Sequence, residues 1–156
     1  MEISGSYTFA APIERVWDLL MDPDVIASCI PGCEQFVAEG GDRYRARLAV
    51  ALAAITGTYE GTVTISDKVA PTAYRLTGEG QSRAGFVKGT SSVSLRADSG
   101  ATIVDVGVSV EAGGTIARVG QRLIGSVSKM MLDRFFACLQ SKIRSGAPSP
   151  PSTPAS

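Results

Sequence analysis

Over residues 2–9, Ile3, Gly5, Tyr7 and Phe9 alternate with mostly polar neighbours, the period-2 pattern of a strand. The spacing then changes. Ile13, Val16, Trp17 and Leu20 recur at helical intervals, and Pro12 suits a first helical position, which predicts a short helix with one apolar face. Asp22 is placed as an N-cap with Pro23 at the first position of a second short helix, whose Val25, Ile26 and Cys29 face inward. Pro31-Gly32 ends it.

Residues 33–112 return to period 2. Gly40-Gly41 reads as a hairpin turn. Tyr44, Ala46, Leu48, Val50 and Leu52 alternate with Arg43, Arg45 and Arg47, and the chain turns around Ile55-Thr56-Gly57. The next strands are read from Tyr59, Gly61, Val63 and Ile65, then from Tyr74, Leu76, Gly78, Gly80 and Ser82. Val87, Gly89, Ser91, Val93 and Leu95 follow, and then Val104, Val106, Val108 and Val110. Ala70-Pro71-Thr72, Arg83-Ala84-Gly85 and Asp98-Ser99-Gly100 connect them. With the first strand this gives seven strands joined by short turns, so an antiparallel meander is expected. Gly61, Gly78, Gly80 and Gly89 fall on the inward parity. Glycines there mark bends or room left beside a large element.

After Gly113-Gly114, residues 115–145 carry the longest helical pattern. Ile116, Val119, Leu123, Val127, Met130, Met131, Phe135, Cys138 and Leu139 form its stripe, with Arg118, Arg122, Lys129, Asp133 and Gln140 opposite. One helix of that span would reach about 45 Å at ~1.5 Å per residue, even with Gly120 and Gly125 inside it. The last segment, 146–156, holds Pro148, Pro150, Pro151 and Pro154 among small residues and reads as a disordered, PPII-leaning tail.

Composition narrows the chemistry. The 156 residues contain no histidine, which removes histidine-based triads, dyads, zinc ligation and proton shuttles. Three cysteines, Cys29, Cys33 and Cys138, make no disulfide framework. A closed zinc site without histidine would need four thiolates or carboxylate help, so they read as small apolar residues of a reducing compartment. The start has no basic or apolar leader pattern and no apolar run is long enough to span a bilayer, so a cytoplasmic location is expected. Formal net charge is zero, with no nucleic-acid signature. The zero conceals an asymmetry. Residues 1–42 carry Glu2, Glu14, Asp18, Asp22, Asp24, Glu34, Glu39 and Asp42 against Arg15. Residues 115–145 carry Arg118, Arg122, Lys129, Arg134, Lys142 and Arg144 against Asp133. We read the latter as a solvated helix face with late cations that suit the helix dipole, beside the alternative of a face for a partner or anionic lipid.

The order strand, two short helices, six strands and long helix resembles the α+β helix-grip fold. There the sheet curls around the last helix and leaves a cavity between them. Ser4-Gly5-Ser6-Tyr7-x-Phe9-x-Ala11-Pro12-x-x-x-Val16-Trp17 resembles the opening of START-like (SRPBCC) ligand-binding proteins. Leu19-Leu20-Met21-Asp22-Pro23, Ile30-Pro31-Gly32-Cys33, Gly57-Thr58-Tyr59-Glu60-Gly61, Gly78-x-Gly80 and Gly120-Gln121-Arg122-Leu123-Ile124 are similar to one branch, the CoxG family, named for the G subunit of carbon monoxide dehydrogenase. The resemblance spans residues 1–145, taken as one ligand-binding domain.

It implies a non-catalytic accessory protein of a molybdenum-containing carbon monoxide dehydrogenase or related hydroxylase. It also implies a quinone in an apolar cavity and a location peripheral to the cytoplasmic membrane face. Membrane recruitment in the family is associated with a C-terminal extension, and residues 146–156 have no apolar or amphipathic segment. The expected cavity lining is Val50, Leu52, Tyr59, Val63, Leu76, Val93 and Val106 from the sheet with Leu123, Val127, Met130 and Met131 from the helix. Tyr44, Tyr59, Ser82 or Ser91 would supply a hydrogen bond to a quinone carbonyl. Each of these residues also reads as plain core. No catalytic set is seen: Glu60, Glu79, Asp105 and Glu111 point outward by parity, and no dinucleotide fingerprint is present. The alternatives are an assembly factor that docks the enzyme without ligand, and a small START-like enzyme acting on an apolar substrate.

Overall fold

The computed structural model describes residues 2–51, 56–118 and 120–144. Leu52, Ile55, Val119 and the segment 146–156 lie outside them.

Strand β1 (Glu2–Phe9) is followed by α1 (Ile13–Leu20) and α2 (Pro23–Cys29). The strands β2 (Cys33–Gly40), β3 (Arg43–Val50), β4 (Gly57–Val69), β5 (Ala73–Ser82), β6 (Gly85–Asp98) and β7 (Ala101–Gly113) come next. α3 (Thr115–Arg118) and α4 (Gln121–Arg144) follow them. All pairings are antiparallel, in the order β1-β7-β6-β5-β4-β3-β2. The meander expected from the turns therefore holds from β2 to β7. β1 lies at the far edge, with Glu2 opposite Ser109 and Phe9 opposite Thr102.

Local chemistry explains most boundaries. The Asp22 carboxylate accepts from the Asp24 N–H at 2.9 Å and caps α2, as its sequence predicts. Pro12 is the N-cap of α1 rather than its first helical residue. Gly32 has φ +76°, and a Cβ there would collide with the Ala49 carbonyl oxygen, so the turn from α2 into β2 requires glycine.

The long helix differs from expectation. It is two helices, broken at Gly120, whose φ of +90° lies in the left-handed region and cannot continue a right-handed helix. α4 alone has 24 residues, about 36 Å at the usual rise. The sheet curls, and its strands meet closely on the glycine face. A Cβ at Gly61 would strike the Glu79 carbonyl oxygen and lie 2.7 Å from Gly80 Cα.

Two apolar clusters hold the layers together. The larger joins Phe9, Val16, Trp17 and Leu20 to Val93, Leu95, Val104 and Val106, and to Phe136, Leu139 and Ile143 of α4. Phe136, absent from the predicted stripe, stacks on Tyr7 with ring centroids 4.3 Å apart and meets Phe135 edge-on at 5.1 Å. The smaller cluster gathers Tyr59 and Ile116 with Leu48, Val50, Val87, Ile124 and Val127. At the β1 edge, the Tyr7 hydroxyl donates to Asp133 Oδ1 at 2.7 Å, and Lys129 Nζ donates to the same oxygen. These contacts tie α4 to the edge strand.

The cysteines depart from expectation as well. Cys29, at the end of α2, and Cys138, in α4, form a disulfide with their Cα atoms 5.4 Å apart across 109 positions. The helices pack side by side, which brings together two thiols that sequence spacing keeps apart. Cys33 remains a free thiol. Burial pushes its pKa up, and its sulfur donates to the Gln35 carbonyl at 3.3 Å.

Candidate ligand cavity

Because the inward face of β4, β5 and β6 carries glycines where other strands carry side chains, α4 cannot fill the space above it. Two adjoining cavities result, of about 320 and 330 Å³. Cavity 1 is floored by Gly61, Gly78, Gly80 and Gly89 and walled by Leu48, Val50 and Tyr59. Ile116, Ile124 and Val127 roof it. Cavity 2 lies toward α1 and α2, among Leu20, Ile26, Ile30, Ile65, Tyr74 and Leu76, with Leu132, Phe135 and Phe136 above. Val63, Ser128 and Met131 line both and mark where they meet.

The expected lining is redistributed. Val50, Tyr59 and Val127 line cavity 1; Leu76, Val93 and Val106 line cavity 2; Val63 and Met131 line both. Leu123 and Met130 line neither. The helix meets the sheet through Ile124, Val127, Ser128 and Met131, so Leu123 and Met130 sit one residue earlier, turned by about 100°. Leu52 lies outside the described residues.

Of the polar candidates, Tyr59 and Ser91 reach the cavities. Tyr44 instead stacks on Phe36 at 4.8 Å, and the Ser82 hydroxyl accepts from the Ala84 N–H at 3.1 Å within its turn. The sequence reading missed Ile3 of β1, Ile30 after α2, Tyr74 and Ser128. The i, i+4 spacing of Ile26 and Ile30 was a usable signal for one apolar side of α2.

Electrostatically the cavities are quiet. Burial alone drives the Tyr74 phenol far above its ordinary pKa. Glu60 and Glu79 border cavity 1 but are exposed, as is Glu111, and Asp105 pairs with Arg96 at 3.4 Å. Arg118, Arg122, Arg134 and Arg144 are exposed along α3 and α4. Among the described residues no group of three or more acids or cysteines is placed to hold a metal ion, and no helix is long and apolar enough to cross a membrane. What the arrangement can do chemically is withdraw an apolar molecule from water.

The family of the carbon monoxide dehydrogenase G subunit, CoxG, matches residues 5–144, and the chain belongs to it. A conserved protein from Geobacillus kaustophilus superposes with a TM-score of 0.89 at 32% identity, over 93% of this chain and 96% of that one. A START superfamily protein from Mycobacterium smegmatis superposes at 0.71 with 12% identity, over 92% and 97%. A protein from Arthrobacter aurescens gives 0.70 with 13% identity, over 94% and 87%. These last two show the fold alone, which is START-like. No curated protein matches the sequence.

Proposed function

We propose that this member of the CoxG family is a non-catalytic accessory protein that carries an apolar ligand, a quinone, between its sheet and α4. It serves a molybdenum-containing carbon monoxide dehydrogenase or a related hydroxylase, and exchanges its ligand at the cytoplasmic face of the membrane. The observation that carries the reading is the pair of adjoining cavities above a glycine floor. Each falls at the lower end of the roughly 300–1,000 Å³ usual for ligand sites. Together they suit a flat head with an attached chain better than a compact molecule. Every 100 Å² of ligand surface taken from water contributes about 2.5 kcal/mol. The outward acids and the apolar lining favour carriage over catalysis.

The test is native mass spectrometry with solvent extraction of the protein purified from its own cells. A quinone or other lipid at near-stoichiometric amount is expected. A protein that is empty, and stays empty after incubation with quinones, defeats the carrier reading in favour of a docking factor. Val127→Arg, which puts a guanidinium into cavity 1, is expected to abolish uptake, and Arg118→Ala on the exposed side of α3 to leave it intact. Equal effects would refute the placement of the site.

A further inference from the structure

Tyr74 is 5% exposed and lines cavity 2. Its ring meets Trp17 edge-on at 5.5 Å, and among the described residues its hydroxyl has no hydrogen-bond partner, with burial alone raising its pKa. Nor is the hydroxyl sealed in protein. Among the described residues only Gln140 Oε1 is a fully enclosed side-chain polar atom without a partner. The Tyr74 oxygen is therefore not fully enclosed, and Tyr74 lines cavity 2. Buried tyrosines ordinarily find a partner for the hydroxyl, and leaving one unmet is destabilising. Held neutral by its surroundings, the phenol is a donor in need of an acceptor.

The neighbourhood defines that acceptor. Tyr74 pairs with Val93, and Leu76 pairs with Ser91, so Ser91 is the diagonal neighbour of Tyr74 on the same face. Around them Ile65, Leu76, Val106 and Phe136 offer only apolar surface. Tyr74, Ser91 and Ser128 are thus the hydroxyl-bearing residues of an otherwise apolar chamber. Cavity 1, reached past Val63 and Met131, has a floor without side chains. We propose that Tyr74, backed by Ser91, anchors the head group of the ligand: its hydroxyl donates to a carbonyl oxygen on an apolar molecule whose chain runs past Val63 and Met131 into cavity 1. This rests on the reading that the cavities hold an apolar ligand. It adds the direction in which the ligand lies and the residue that holds its carbonyl.

The experiment titrates the full chain with an isoprenylated naphthoquinone and with a naphthalene bearing the same chain but no carbonyl. The unaltered protein is expected to prefer the quinone by roughly tenfold. Tyr74→Phe keeps the ring against Trp17, and is expected to erase that preference while leaving the hydrocarbon's affinity within about twofold. In the infrared spectrum one carbonyl stretch of the bound quinone should move to lower frequency on the unaltered protein and return in Tyr74→Phe. An undiminished preference in Tyr74→Phe overturns the anchor and leaves the carrier reading standing. So does an unshifted carbonyl stretch on the unaltered protein, which decides the matter even if the variant does not fold. Failure of both compounds to bind the unaltered protein overturns the carrier reading and the anchor with it.

Discussion

Replacing Gly80 by leucine separates the needs of the fold from those of the ligand. Gly80 lies on the inward face of β5, and the nearest atom to a Cβ built there is the Glu60 carbonyl oxygen at 3.8 Å, an ordinary contact. The side chain would grow into cavity 1. Burying a leucine side chain contributes about 1.5–3 kcal/mol. Removing a glycine from a strand interior adds roughly 0.5–1 kcal/mol, and rotamer entropy takes back a similar amount. The variant without ligand is therefore expected to gain about 2 kcal/mol, or some 4–8 °C in Tm for a domain of roughly this size. Ligand at a hundred times its Kd stabilises the unaltered protein by about 2.7 kcal/mol, and the filled variant should lose that shift. Thermal unfolding with and without an isoprenylated quinone reads both effects. A Gly80→Leu protein that melts lower and still shifts with ligand would refute the assignment of cavity 1 as ligand space. Gly61→Ala is the control: its Cβ would be driven against backbone of β5, so a loss of about 1–3 kcal/mol is expected from the smaller side chain.

Two further outcomes are expected. The Cys29–Cys138 bond closes a loop across 109 positions, and the chain-entropy view assigns such a loop about 4.8 kcal/mol. Cys138→Ala, or reduction with a phosphine, should lower Tm by more than about 10 °C, and an unchanged melting curve would refute the link between α2 and α4. The Asp133 carboxylate is held below its ordinary pKa, first by Lys129 and then by the Tyr7 hydroxyl. A depressed carboxylate stabilises the fold above its unfolded pKa near 3.8 and loses that contribution as pH falls through the lower folded value. Asp133→Asn should thus cost roughly 0.5 kcal/mol at neutral pH, as exposed pairs do. In urea melts the gap to the unaltered protein should close as pH falls below 3.8, and a gap that widens in acid would refute the pairing.

Most strands were readable because they are half-buried: one parity faces inward, so Tyr74, Leu76, Gly78 and Gly80 announce their side before any partner is known. The Asp22 cap was readable because it is local. The register of α4 was not. Leu123 and Met130 are as apolar as Ile124 and Met131, and the stripe is wide enough that the pattern alone does not say which edge of it meets the sheet. The Cys29–Cys138 pair needed the packing of α2 on α4, which no spacing encodes. Tyr74 was read as inward, and correctly so. The donor role proposed for it came into view only with its burial and its place on cavity 2.

The placement of β1 next to β7 has a consequence for how the chain is made. Glu2 finds its opposite residue at Ser109 and Phe9 finds Thr102, so β1 leaves the ribosome with no place in the sheet until roughly a hundred further residues have followed it. Meanwhile Tyr7 and Phe9 wait for Phe136, which is made later still. The meander β2–β7 can assemble hairpin by hairpin as it emerges. β1 is therefore the last of the strands to find its place. A nascent chain halted before β7 should leave it accessible to protease.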